Sequence, residues 1–171
     1  AARGFGALPE EKMRIAWTVT MPLHTNVFKF LEEKGVAVPI VLTGQTARFF
    51  GVKYGVYGDE TEYGRKLSPL EEVARMENSW SWNGLGPRWV DDCIEVCRQL
   101  KIDAIVNFIQ QGCSPTVGIA KLLEEDAQKQ LGIPTLHLEG RMLDLESFSE
   151  TDFRSRLDNF IDMCLANKGI S

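Results

Sequence analysis

The sequence predicts an α/β domain: a parallel sheet of about four strands with helices on both faces. Three observations predict it. Apolar, strand-like runs alternate along the chain with stretches of helical period. Those runs are nearly continuous rather than alternating in polarity, as sheets covered on both faces require. The size and composition, 171 residues with 44% hydrophobic and 25% charged side chains, are those of one ordinary globular domain with a real core.

The elements follow in order. Residues 1–12 (AARGFGALPEEK) are small, Gly-containing and charged, and read as a linker or arm. Residues 13–19 (MRIAWTV) have the composition of a buried strand. Met21-Pro22 breaks it, and residues 23–34 place Val27, Phe28, Phe30 and Leu31 at helical spacing with Gly35 just beyond. Residues 36–42 (VAVPIVL) form a second strand, and Pro39 puts it at an edge or ends it early. Residues 43–67 are the least regular stretch, with five glycines among aromatic residues. Ser68-Pro69 opens a helix to about Asn78, with Pro69 in the favoured first position. A loop holding Trp80 and Trp82 follows, then a helix from Pro87 to Leu100. Residues 103–108 (DAIVNF) are the third strand and 109–114 its loop. Pro115 to Leu131 is a helix stopped by Gly132, and residues 133–138 (IPTLHL) are the fourth strand. After a loop, Ser149 or Thr151 caps a last helix to about Asn167, with Gly169 past its end. No internal repeat is visible, and the pattern is flavodoxin-like or Rossmann-like.

Composition excludes several functions. A net charge of −5 with no long Lys/Arg run gives no footprint for nucleic acid. No apolar run approaches the roughly 20 residues of a membrane helix. No secretory signal is visible, so a cytoplasmic location is expected. Four cysteines, Cys93, Cys97, Cys113 and Cys164, are too few for a disulfide scaffold and lack zinc spacing. Gly84-Leu85-Gly86 lacks the third glycine of a dinucleotide loop, and no Walker A, GxSxG or HExxH motif occurs.

Ligands of open parallel sheets bind beyond the carboxyl ends of the strands, which selects the loops 20–24, 43 onward, 109–114 and 139–144. In the third of these, Gln110-Gln111-Gly112-Cys113-Ser114-Pro115 sets a cysteine at a strand tip just before a helix amino terminus. Ser114 is expected to cap that helix and Pro115 to occupy its first turn. The helix start favours a thiolate at Cys113, the form that nucleophilic catalysis and iron–sulfur ligation both use; the alternative is a small loop residue that only packs. Cys93 and Cys97 share one apolar helical stripe, and Cys164 sits with Phe160 and Ile161, so these three read as core. His137 reads as a core or sheet-face histidine. His24, in a strand-end loop, reads as a ligand contact or a surface residue at a helix start. Trp80 and Trp82 could stack on a planar group or cover a core edge or interface.

The stretch from Asp103 to Asp144, with its apolar strand, cysteine loop, helix, GIPTL and following Asp-containing loop, resembles the last cysteine region of the 2-hydroxyacyl-CoA dehydratase and benzoyl-CoA reductase family. FSETDFRSRLDNFIDM (148–163) is similar to that family's closing helix, and MRIAWTVTMP (13–22) to the strand and loop opening its second domain. The resemblance implies one subunit of an oxygen-sensitive heterodimer with a homologous partner subunit, each holding an iron–sulfur cluster of the 4Fe–4S type. It also implies an ATP-hydrolysing iron–sulfur activator that injects an electron and a CoA-thioester substrate. Dehydratases of the family form a ketyl radical that expels the hydroxyl group of an (R)-2-hydroxyacyl-CoA, and reductases reduce the ring of benzoyl-CoA.

By the same resemblance each subunit gives three cysteines to its cluster, two from a preceding domain; Cys113 matches the third, and no residue of this chain matches the other two. One thiolate does not anchor a cube that takes about four ligands, so the chain is expected to be the second domain (13–171) of a longer two-domain subunit, inactive alone. The start at Ala1-Ala2-Arg3 without Met fits that expectation. Arg141 departs from the acidic residue usual in the family. His24 and Gln111 are the candidate substrate-facing groups. The competing readings are a non-enzymatic α/β interaction module and a related iron–sulfur reductase acting outside CoA chemistry.

Overall fold

The computed structural model describes residues 6–22, 25–43, 64–78, 86–144 and 149–170. Its four strands are β1 (Met13–Val19), β2 (Val36–Leu42), β3 (Ala104–Gln110) and β4 (Thr135–Gly140). They form one fully parallel sheet in the order β2-β1-β3-β4. Among the described residues five helices accompany them: α1 (Val27–Glu33), α2 (Pro69–Asn78), α3 (Gly86–Leu100), α4 (Ser114–Leu131) and α5 (Glu150–Asn167). The α/β class expected from the sequence is the one observed.

Strand residues alternate between two faces, and each face has its own core. Ile15 and Trp17 of β1, Val106 and Phe108 of β3 and Leu138 of β4 meet Val27 and Leu31 of α1 and Phe153, Leu157 and Ile161 of α5. Ala16 and Ile105 face the other way, onto Trp89, Val90, Cys93, Ile94 and Cys97 of α3 and Leu123 and Ala127 of α4. β3 is buried along its first six residues, which explains the unbroken apolar run. Each buried aliphatic or aromatic side chain contributes about 1.5–3 kcal/mol relative to exposure.

Pro39 stands where an edge position permits it. β2 is an edge of the sheet, Pro39 is exposed, and the β1–β2 register slips by one residue beside it, from Arg14↔Ala37 to Ala16↔Ile40. A residue without an N–H is accommodated by such a bulge.

Five boundaries differ from the sequence expectation. Helix α1 starts at Val27, not at residue 23; ahead of it the N–H and hydroxyl of Thr25 both donate to the Pro22 carbonyl (3.1 and 2.9 Å). Strand β4 begins after Pro134, which has no N–H for the ladder. β3 and β4 end two residues later than expected, since Ile109↔Glu139 and Gln110↔Gly140 continue the pairing. The N-cap position of α4 falls on Cys113, with no side-chain capping bond, and Ser114 is the first helical residue. Of the two candidates for the last cap, Ser149 is used, its hydroxyl accepting from the Asp152 N–H.

Candidate functional site

Strand order makes the site. From β1 the chain passes to β2 on one side, then crosses to β3 on the other, so the carboxyl ends of β1 and β3 flank a topological switch point. Open α/β sheets bind ligands in that crevice.

The β1 side of the crevice is strained. Val19 has φ +62°, and the Thr20 N–H donates to the Thr18 carbonyl at 2.9 Å, closing a three-residue turn of the rarer hand. A β-branched residue at positive φ is an outlier that costs on the order of 1–3 kcal/mol. Trp17, fully buried, holds the turn by donating from Nε1 to the Thr20 carbonyl at 2.7 Å. The Thr20 hydroxyl is buried and has no hydrogen-bond partner among the described residues.

The β3 side carries the cysteine. Gly112 has φ +83°, with open space where a Cβ would stand, so the requirement for glycine is conformational. Cys113 follows in extended conformation as the N-cap of α4. Its N–H donates to the Gln110 carbonyl (3.1 Å), and its carbonyl accepts from the buried Thr116 hydroxyl (2.9 Å) and the Val117 N–H (3.3 Å). The backbone of Cys113 is therefore fixed, while its thiol remains half-exposed at the helix start.

Gln110 ties this loop to the next. Its Oε1 accepts from the Met142 N–H at 2.9 Å and its Nε2 donates to the Gln111 carbonyl at 3.5 Å, while the Gln111 N–H donates to the Gly140 carbonyl at 3.0 Å. Gln111 itself is exposed at the tip. Arg141 pairs with Asp144 at 2.9 Å in the loop after β4, so the basic residue at that position has an acidic partner three residues on.

The other cysteines are core residues, as expected. Burial pushes the Cys97 thiol up to about 12 and the Cys164 thiol up to about 11. Cys93 is raised well above its ordinary value by burial, and further by Cys97 and Asp92. His137 lies on the sheet face, between Asn107 and Glu124. His24, Trp80 and Trp82 lie outside the described residues. Among the described residues no group of three or more His, Cys, Asp or Glu could hold a metal ion by itself. Among those residues, too, no helix is long and apolar enough to cross a membrane.

With this geometry in hand, comparison with known proteins is decisive on family. The family model described as 2-hydroxyglutaryl-CoA dehydratase, D-component, matches residues 1–164. The chain belongs to that family. No curated protein matches it. Membership of the 2-hydroxyglutaryl-CoA dehydratase D-component family makes the chain a component of a dehydratase, with a CoA thioester as substrate and partner subunits as its setting.

The structure sets Cys113 at the strand tip where the sequence puts it, and three features near it were not expected: the strained Val19, the Gln110 clamp and the pairing of Thr18 with Asn107. Asn107 had a signal. It is the one polar residue inside the buried run AIVNFI, and a polar group in a strand covered on both faces requires a partner.

Proposed function

We propose that this chain is the carboxy-terminal α/β domain (residues 13–171) of a subunit of an iron–sulfur-dependent, ATP-activated 2-hydroxyacyl-CoA dehydratase. Residues 1–12 are the arm leading into it. Cys113 supplies one thiolate ligand to a 4Fe–4S-type cluster whose other ligands come from outside this chain. When bound, the cluster supplies single-electron chemistry to a CoA-thioester substrate. The chain's own residues build one wall of the site: the Cys113 backbone is held by Gln110 and Thr116, and Gln111 stands exposed beside it. The partners are a homologous subunit and an ATP-hydrolysing iron–sulfur activator, in the cytoplasm.

One observation carries the reading. Of the four thiols, Cys113 alone leaves the core, and it does so at the carboxyl tip of a central strand, at the start of a helix. The family it belongs to is one of dehydratases, which supports elimination of water over ring reduction.

The test is anaerobic Cys113→Ser protein prepared with its remaining domain and partner subunit. Iron content and visible absorbance of the cluster are expected to be lost while far-UV dichroism is kept. Full iron retention would overturn the assignment.

A further inference from the structure

A buried polar row runs across the sheet directly below the β1–β3 crevice. Thr18 is the register partner of Asn107, and Asn107 that of His137. Their side chains therefore leave one face of the sheet at one level, the face covered by α3 and α4. Thr18 and Asn107 are buried, with 0% and 2% exposure; the His137 ring keeps 28% and touches solvent. Buried polar groups of this kind are destabilising unless hydrogen-bonded.

With Oδ1 of Asn107 toward Thr18 and Nδ2 toward His137, donor and acceptor counting gives the direction of each bond. The Thr18 hydroxyl donates to Asn107 Oδ1. That leaves Nδ2 of Asn107 toward His137 Nδ1, 3.0 Å away. An amide nitrogen only donates, so the ring Nδ1 accepts and a neutral ring carries its proton on Nε2. Nε2 faces Glu124 Oε2 at 3.5 Å. Glu124 is held below its ordinary value, first by its hydrogen bond from Lys121, and so receives as a carboxylate. The charged groups around the ring are thus Glu124 and, behind it, Lys121 from α4, with Arg156 of α5 donating to the His137 carbonyl at 2.8 Å.

We propose that His137 and Asn107 are positioning residues for the β1 end of the crevice, and that protonation of His137 reverses the hydrogen-bond row back to Thr18. A solvent proton added to Nδ1 makes both ring nitrogens donors, and the Asn107 amide N–H can no longer face the ring. A half-turn of the amide restores every bond in the opposite sense. Oδ1 then accepts from the ring, Nδ2 donates to the Thr18 oxygen, and the Thr18 hydroxyl, keeping its proton, turns its O–H away from Asn107, one residue before the strained Val19. The only covalent change is one N–H bond on the ring, formed with a proton from water. The proposal is independent of the iron–sulfur reading.

Long-range proton–nitrogen correlation spectra of the intact protein labelled with 15N-histidine test it, with His137 assigned by its loss in H137Q. The expected neutral form is unprotonated at Nδ1 and protonated at Nε2. On acidification the Asn107 side-chain amide and the Thr18 methyl should shift with the midpoint of the His137 ring, and neither should keep that midpoint in H137Q. An Nδ1-protonated neutral ring, or Asn107 and Thr18 signals that ignore the ring's midpoint, would overturn the proposal. Were H137Q not to fold, H24Q would remove this chain's other histidine and secure the assignment, leaving the tautomer and the shared midpoint as the deciding observations.

Discussion

Burial divides the four cysteines into two chemical classes. Cys93, Cys97 and Cys164 are held as neutral thiols by the core, whereas Cys113 meets solvent. Brief alkylation near neutral pH is therefore expected to label Cys113 and spare the rest, read by peptide mass spectrometry. The buried thiols also make an alkaline liability. Cys97 is raised from an ordinary 9.0 to about 12, so the folded form keeps a proton that the unfolded chain gives up. Its contribution to stability is whole below about pH 9 and falls as pH rises toward about 12. Denaturant unfolding at about pH 8 and about pH 10.5 should show a smaller alkaline loss in Cys97→Ala than in the parent, despite a lower stability at the first pH. At this scale the sequence was readable where a residue's neighbours repeat with helical period, as for Cys93 and Cys97. It was unreadable where the partner lies on another strand: Thr18 and Asn107 are 89 residues apart, and nothing local in either segment records the other.

Helices and strands were legible where an apolar period and a punctuating residue coincide. Gly35, Gly132 and Gly169 all take positive φ at or just past helix ends, as expected of stop signals. The two helix-end glycines preceding strands differ in what surrounds them. A Cβ on Gly132 meets nothing within 4 Å, so Gly132→Ala should cost only the left-handed conformation, about 1–2 kcal/mol. On Gly35 it would stand 2.8 Å from the Glu10 carbonyl oxygen, whose segment pairs with Gly35 through the Lys12 N–H. Gly35→Ala should therefore cost more than Gly132→Ala in the same thermal or denaturant assay; equal costs would refute the close approach. Element ends were read poorly wherever polarity and pairing disagree. Glu139 and Gly140 look like loop residues and are strand, and Cys113 takes the cap position expected of Ser114, because the chain turns at Gly112, one residue earlier than the composition suggests.

For the molecule as a whole, one sheet divides two cores that do not share side chains. Phe108→Ala opens a cavity on the face of α1 and α5 and should cost about 3–5 kcal/mol, while Ile105→Val on the face of α3 and α4 should cost about 0.5–1.5 kcal/mol. Sites on opposite faces with no shared neighbour should add in the double variant to within about 0.5 kcal/mol; a larger coupling would mean that the sheet transmits strain between the cores. The α/β class was legible because both faces are covered and every strand therefore reads as an apolar run. The strand order was not, since it depends on where the chain crosses the sheet. That crossing has a kinetic corollary. β3, α4 and β4 lie within residues 104–140, whereas β1 meets β3 across a separation of 89 residues, the one spanned by the bond from the Arg14 N–H to Asp103. Closing the longer loop costs more chain entropy, so the two halves of the crevice should join late in folding, after the cysteine-bearing half has formed.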